Sequence, residues 1–147
     1  MLGKLAHFLR ILGYDAIYRY NGTVAKMLFV AAKDNRIILT RSKRVYNMAM
    51  GIGVKVCYFS FVDIVKQLQY LQHKSLIKIE LNPSNPRCSE CNGTLKKVDK
   101  AQIINLLPEG TAQQYNDFWQ CTSCKRIYWV GQHWEDIRKK LKQASGE

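Results

Sequence analysis

Four of the five cysteines of this chain form two Cys-x-x-Cys pairs, Cys88 with Cys91 and Cys121 with Cys124, separated by 29 residues. Two residues between thiols let a tight turn direct both sulfurs at one point, and two such turns complete a tetrahedral structural zinc site. Iron is the alternative ion. A disulfide is disfavoured in a cytosolic chain, and a redox pair needs one Cys-x-x-Cys only. The spacing therefore predicts a zinc ribbon whose closed metal shell performs no chemistry.

The residues around the cysteine pairs receive structural interpretations. Gly93 is expected to free the backbone so that the first turn closes. Cys57 lies in an apolar run and is predicted to be buried. The aromatic segments 118–121 and 127–130 are predicted to pack around the metal, with base stacking as the alternative. His133 is predicted to be structural or exposed, since four thiolates already complete the site.

Upstream of the cysteines, helix and strand patterns alternate. Helices are predicted over 2–12, 24–34, 43–50 and 63–71, and strands over 16–20, 37–40 and 54–59, with 74–81 as a strand or linker. Gly13 is expected to end the first helix and Thr23 to cap the second. This alternation predicts an α/β fold with a parallel sheet of three or four strands.

A turn-rich boundary at 82–86 divides the chain. Residues 1–81 are expected to form the α/β domain, and residues 82–147 a zinc ribbon with a C-terminal basic helix. Removal of the metal is then expected to unfold 82–147. No stretch approaches the roughly 18 apolar residues of a membrane span, and the first ten residues lack a cleavage signature. A cytoplasmic protein with no membrane partner is expected.

The charge is large and uneven. The chain has 23 Lys and Arg against 11 Asp and Glu, a formal net charge of +12, and residues 1–50 carry nine basic and two acidic groups. Neutralised phosphates release counterions, so this distribution predicts a nucleic acid partner; an acidic membrane or protein surface is the alternative. The candidate RNA phosphate contacts are Lys4, Arg10, Arg19, Lys26, Arg41, Lys43 and Arg44.

Several segments resemble a known family in their order and spacing. They are Met1–Ala6, Leu9-Arg10, Leu12–Asp15, Ile38–Arg41, Pro86–Cys88, Cys91–Gly93, Phe118–Cys121 with Cys124, Tyr128-Trp129, Gly131 and His133-Trp134. Together they are similar to the PIN-like ribonuclease domain with an attached zinc ribbon, named for the C-terminal region of the Mut-seven exonuclease. The resemblance covers nearly the whole chain. It implies a small parallel-sheet PIN-like (Rossmann-like) domain, a four-cysteine zinc ribbon and metal-dependent RNA cleavage.

In that family, acidic side chains at the C-terminal ends of the parallel strands would hold Mg²⁺ or Mn²⁺. This sequence departs from the pattern there. The family usually begins with a strand ending in Asp just before the segment that starts here at Met1. The acidic residues usual after the second strand are replaced by residues 21–23, and the Asp usual after Leu-Thr-Arg is Ser42.

The residues themselves support this interpretation. A two-metal site needs several convergent carboxylates, and residues 1–50 contain only Asp15 and Asp34, without an acidic partner within reach by spacing. Lys43 and Arg44 would repel a divalent cation and attract phosphate. The family's centre is therefore expected to have changed from metal binding to anion binding.

Three functional hypotheses follow. The first is a non-catalytic RNA-binding protein, a ribosomal or ribosome-associated component of archaeal type. It would bind ribosomal RNA and neighbouring ribosomal proteins through its basic face, with no small-molecule cofactor. The second is a metal-dependent PIN-like endoribonuclease that uses Asp15 and a further acid such as Asp63. The third is an adaptor that docks proteins on its zinc ribbon.

Overall fold

The structure, a computed structural model, describes residues 2–18, 22–81 and 83–147. The first part contains α1 (Gly3–Ile11), α2 (Val24–Lys33), β1 (Ile38–Thr40), α3 (Lys43–Gly51), β2 (Val56–Tyr58) and α4 (Ile64–His73). The second contains β3 (Leu95–Val98), α5 (Lys100–Ile103), a 3-10 turn (Ile104–Leu106), α6 (Thr111–Gln114), β4 (Phe118–Cys121), β5 (Ile127–Tyr128) and α7 (Gln132–Ser145). No helix in these ranges is long and apolar enough to cross a bilayer.

Two small sheets carry the architecture. Strands β1 and β2 pair in parallel, with Ile38 opposite Val56. Strands β3, β4 and β5 form an antiparallel sheet in that order. The predicted class is confirmed: an α/β fold with a small parallel sheet, followed by a four-cysteine unit compatible with a zinc ribbon.

Side-chain caps fix where three helices begin. Thr23, Ser42 and Asp63 each accept a hydrogen bond from the backbone N–H three residues later, at 3.2, 3.3 and 2.9 Å. An oxygen in this place satisfies one of the free N–H groups of the first turn. Thr23 therefore caps α2 as predicted. Gly13 follows α1 with φ 94°, so the predicted end of that helix is also confirmed.

The main hydrophobic core joins the two ends of the chain. It is built from Leu5, Phe8 and Leu9 of α1, Phe59, the α4 residues Ile64, Leu68 and Leu71, Ile79, and Leu141 and Ala144 of α7. A second cluster, around Leu28 and Ala49, packs α2 and α3 near the start of β1. The C-terminal helix, which the sequence assigns to the ribbon segment, thus completes the core of the α/β domain.

The parallel sheet is smaller than predicted. Residues 16–18 form no strand, Arg19 and Tyr20 lie outside the described residues, and 74–81 is a linker. The expectation of three or four strands is therefore wrong for the part of the chain that the structure describes, where two strands pair in parallel.

A cavity lies between residues 16–18 and the parallel sheet. It has a volume of about 370 Å³ and lies between this segment and β1, with apolar side chains from α1 and α2 on its walls. Ile38 donates to Lys55 and Thr40 accepts from Phe59, both at 2.9 Å, so the peptide groups of Leu39 face the cavity side. A strand forms only when it pairs with the edge of a neighbouring strand. The cavity separates residues 16–18 from the free edge of β1.

Candidate metal centre and nucleic-acid interface

The four paired cysteines converge on one point. Their sulfur atoms all lie within 4.8 Å of one another. The Sγ atoms of Cys88 and Cys124 are 3.6 Å apart, and those of Cys91 and Cys121 are 3.4 Å apart. A tetrahedral ion with metal–sulfur bonds of about 2.3 Å places its sulfurs about 3.8 Å apart. The cluster therefore fits one metal ion held by four thiolates.

Backbone amides support the negative charge of these sulfurs. The N–H of Gly93 donates to Cys91 Sγ at 3.4 Å. The N–H groups of Ser123 and Cys124 donate to Cys121 Sγ, also at 3.4 Å. Burial raises the pKa of Cys121, but these two amides and neighbouring thiols bring that pKa down to about 6. At Cys121 the turn thus favours the thiolate form that a metal ion requires, whereas burial raises the pKa of Cys91.

Gly93 serves this site by leaving space. The expectation that it frees the backbone is wrong, because the left-handed residue of this turn is Asn92, with φ 70°. Lys125 takes the equivalent place after Cys124, with φ 66°. A Cβ atom on Gly93 would lie only 2.8 Å from Cys121 Sγ and 3.1 Å from Cys91 Sγ. Any side chain here would press on the metal ligands.

The aromatic residues around the cysteine cluster differ in burial and in their contacts with it. Phe118 is fully buried, and its ring centroid lies 6.1 Å from that of Trp129. The hydroxyl of Tyr128 lies 2.9 Å from Cys88 Sγ, and burial raises the pKa of Tyr128. Its contact with a ligand was not predicted, because one tyrosine in an aromatic run gives no such signal. His133 is exposed and outside the cysteine cluster, as expected.

Cys57, the fifth cysteine, lies apart from the cluster in β2. It is half-buried rather than buried. Burial raises the pKa of its thiol, with Lys74 acting in the opposite direction.

Arg10 joins α1 to the first cysteine turn. Its side chain is 7% exposed. The guanidinium donates to the carbonyl oxygens of Ala16 at 2.8 Å, Ser89 at 2.9 Å and Glu90 at 3.2 Å. This placement corrects its prediction as a phosphate contact: the residue is buried, Nε and Nη1 already donate to protein carbonyls, and the side chain is a structural link.

Asp15, the carboxylate of the nuclease hypothesis, is also held by protein contacts. Its Oδ2 lies 2.7 Å from Arg36 Nη2, and its Oδ1 accepts from Asn92 Nδ2 at 2.6 Å. The hydrogen bond from Arg36 is the main cause that lowers the pKa of Asp15; partial burial opposes it, and Asn92 assists. Asn92 also accepts from the N–H of Ala16 at 3.1 Å. The carboxylate thus ties the first cysteine turn to the α/β domain.

The other candidate acids do not gather at one place. Asp63 caps α4, and Asp34 is exposed at the end of α2. Within the described ranges, the four cysteines are the only group of three or more His, Cys, Asp or Glu side chains placed to share an ion. No carboxylate cluster is therefore present there at the carboxyl ends of β1 and β2.

Basic side chains occupy the carboxyl end of β1 instead. Arg41 follows this strand, and its buried Nε has no hydrogen-bond partner among the residues described. Lys43 and Arg44 open α3 and are exposed. No described carboxylate lies within 4.0 Å of either side chain. We call Arg41, Lys43 and Arg44 the basic edge.

Three further predicted RNA contacts lie elsewhere on the chain. Lys4 on α1 and Lys26 on α2 are exposed. Arg19 lies outside the described residues. None of them belongs to the basic edge, so they remain separate candidates for phosphate contacts.

A short parallel α/β sheet joined to a four-cysteine ribbon is the architecture expected of a PIN-like ribonuclease domain with a zinc ribbon. The chain belongs to the family described as Mut7-C RNAse domain, whose profile matches residues 1–141. No curated protein and no solved structure matches the chain. Membership of this family indicates an RNA-related function, with RNA as the partner.

Proposed function

We propose that this protein binds structured RNA through its basic edge without cleaving it, and that its target is ribosomal RNA. One observation carries the proposal. The family resemblance implies convergent carboxylates at the carboxyl ends of the parallel strands. At the carboxyl end of β1, the described residues are instead Arg41, Lys43 and Arg44. Asp15, in the segment Leu12–Asp15 that carries the resemblance, is held by Arg36 and Asn92.

The electrostatics of the basic edge favour phosphate over a divalent cation. Like charges a few ångströms apart repel, whereas each phosphate neutralised by a side chain releases condensed counterions. In the described part of the chain, Arg36, Lys78 and Lys97 are the basic residues other than histidine that lie within 4.0 Å of a carboxylate. Most of the formal net charge of +12 is therefore free to act on an external polyanion.

Zinc is the ion that we propose for the cysteine cluster. Four thiolates form a closed tetrahedral shell, which is typical of structural zinc sites. With no open ligand position, the ion would stabilise the ribbon and take no part in a reaction.

The ribosome is the proposed location of the RNA, with neighbouring ribosomal proteins as further partners in the cytoplasm. Support comes from the high positive charge and the four-cysteine ribbon together. A sucrose gradient of native lysate tests this part. The protein is expected to migrate with a ribosomal subunit at high salt. Migration with free protein would remove the ribosomal placement.

An active endoribonuclease is the second candidate, and membership of an RNase family favours it. The test incubates the full chain with labelled RNA and Mn²⁺ or Mg²⁺. We expect the RNA to remain intact, because Asp15 is bound to Arg36 and Asn92. Asp34→Asn, which changes an exposed acid, is the matched control. Cleavage that is lost in Asp15→Asn but kept in Asp34→Asn would overturn the non-catalytic proposal.

A further inference from the structure

A groove lined by aromatic rings lies between the ribbon and helices α1 and α7. Its volume is about 610 Å³, and all three tryptophans of the chain line it. Trp119 comes from β4, Trp129 follows β5 and Trp134 lies on α7; each is half-buried. Tyr128 adds a fourth ring. The fold thus brings distant aromatic residues to one concave surface.

Packing in the ribbon accounts for only part of these rings: Trp129 packs against Phe118, and Lys97 Nζ lies 6.0 Å from the centroid of the Trp119 ring. Phe118 is fully buried and fills the ribbon interior, whereas the three tryptophans keep part of their surface open to the groove. Val130 in the same wall is 54% exposed. Large rings gain free energy from burial, so several that stay open in one concave site indicate a ligand that covers them.

The charge of the groove selects the class of ligand. Arg87, Arg126 and Arg138 line it, against the single carboxylate of Glu90, which faces His7 at 3.9 Å. Arg87 already donates to the Asn92 carbonyl at 3.0 Å. Arg126 and Arg138 are exposed, and within the described ranges neither guanidinium has a hydrogen bond or ion pair to protein. Partly exposed aromatic rings beside guanidinium groups without protein partners suit a base linked to phosphate.

The groove continues toward α1. A second cavity of about 570 Å³ shares His7, Ser89, Glu90 and Ile137 with it and is lined by Lys4 and Lys140, with Asp136 as the added acid. Basic side chains therefore accompany the path from the aromatic rings toward α1, which fits a nucleic acid backbone that extends beyond one bound base.

We infer that this groove binds an unpaired nucleotide of the RNA. Its base stacks on the tryptophan rings, and its phosphates lie beside Arg126 and Arg138. The inference rests on the proposed RNA binding and adds the class of ligand, because a stacking site accepts bases that are splayed out of a helix. Stacking tolerates any base, since every base has a π face.

Tryptophan fluorescence reports this site directly, since all three tryptophans line the groove. The full metal-loaded chain is titrated with an unstructured RNA of about six nucleotides. We expect saturable quenching and binding about tenfold tighter than that of an abasic strand of equal length. Equal affinity for both strands, absence of quenching, or equal quenching by an acidic peptide of matched charge would overturn the inference.

Substitutions of Trp134 test whether the base stacks on this ring. Trp134→Ala is expected to weaken binding of the short RNA about tenfold, because one stacked ring is lost. Trp134→Phe keeps a ring and should restore most of the affinity. Leu106→Ala is the control, since Leu106 is a 67% exposed apolar residue outside the groove. Wild-type affinity in Trp134→Ala would contradict the inference.

The same samples separate this inference from the proposed function. If structured RNA binds through Lys43 and Arg44 while the short RNA and its abasic form bind alike, the groove inference alone fails. If neither structured nor short RNA binds the full chain, both fail. If the affinity for the short RNA falls in Trp134→Ala, the groove inference is supported. This holds whether or not substitutions in the basic edge also change the affinity.

Discussion

At the scale of single residues, Arg10 shows how the ribbon is attached to the α/β domain. Its guanidinium serves three carbonyl oxygens, and its own carbonyl accepts from the N–H of Arg87 at 2.7 Å. A buried charge persists only where its hydrogen bonds are satisfied. The side chain therefore belongs to the interior, although a basic residue in a basic chain suggests a surface role.

Arg10→Met tests this role, because methionine keeps an apolar stem and removes every donor. We expect the free energy of unfolding to fall by about 2–4 kcal/mol, since buried carbonyls lose charged partners. Urea denaturation at a fixed metal concentration measures it. Lys4→Met, an exposed site on the same helix, should change stability by less than about 0.5 kcal/mol. Equal effects of the two substitutions would contradict the structural role.

Gly93 gives a second prediction at this scale. In Gly93→Ala the new methyl group would meet Cys121 Sγ at 2.8 Å, so a ligand sulfur must move. We expect metal affinity to fall by about tenfold or more, by analogy with other changes beside metal ligands. Competition with a chromogenic chelator measures it. Gly51→Ala is the control, because no heavy atom lies within 4 Å of its added Cβ. Unchanged affinity in Gly93→Ala would refute the packing argument.

At the scale of elements, α7 crosses the boundary that the sequence indicates at 82–86. Leu141 and Ala144 are buried with Leu68 and Leu71 of α4. The ribbon is therefore an excursion between α4 and α7, attached to α1 through Arg10. This arrangement changes the expectation for metal removal, because the core that holds α7 contains no cysteine ligand.

Chelation is accordingly expected to unfold the ribbon around residues 88–128 while α7 stays on α4. Hydrogen exchange with mass spectrometry measures it with and without chelator. Amides of β3, β4 and β5 should lose protection, and those of α4 and α7 should keep most of theirs. Loss of protection in α7 in step with β4 would show that residues 82–147 unfold as one unit.

Local patterns account for the elements that the sequence predicted well. The cap Thr23 and the helical periods each involve residues only a few positions apart, so the sequence shows them directly. The cysteine cluster was predicted for a related reason, since Cys-x-x-Cys spacing alone restricts the geometry of a turn. Residues 16–18 have strand-like composition, but a strand needs a neighbouring edge, and no local pattern shows whether one is present.

Contacts between distant residues account for what the sequence did not show. Arg10 and Asp15 meet residues more than seventy positions away. The three tryptophans meet in one groove because α7 returns beside the ribbon. These arrangements depend on how the modules pack, which neither charge nor periodicity indicates.

At the scale of the whole molecule, two separate surfaces are proposed to bind RNA. The basic edge lies at the carboxyl end of β1, and the aromatic groove lies between the ribbon and α7. The first suits the phosphates of structured RNA, and the second suits an unpaired base. A metal ion held by the four cysteines would keep the ribbon folded. Arg10, Asp15 and Asn92 hold the ribbon against the α/β domain.

The most direct test of RNA binding through the basic edge measures affinity for labelled structured RNA across a series of salt concentrations. It compares the wild type with Lys43→Glu/Arg44→Glu and with Lys139→Glu/Lys142→Glu, a control of equal charge change on exposed α7 residues. Gel analysis of the same reactions, with Mn²⁺ present, shows whether the RNA stays intact.

We expect intact RNA throughout and a selective loss of affinity in the basic-edge variant. Its affinity should fall at least about tenfold, and the slope of log affinity against log salt should decrease by about two, one for each lost phosphate contact. The α7 control should lose clearly less. Equal affinities and slopes in the two double variants, or cleavage of the RNA by the wild type, would contradict the proposed function.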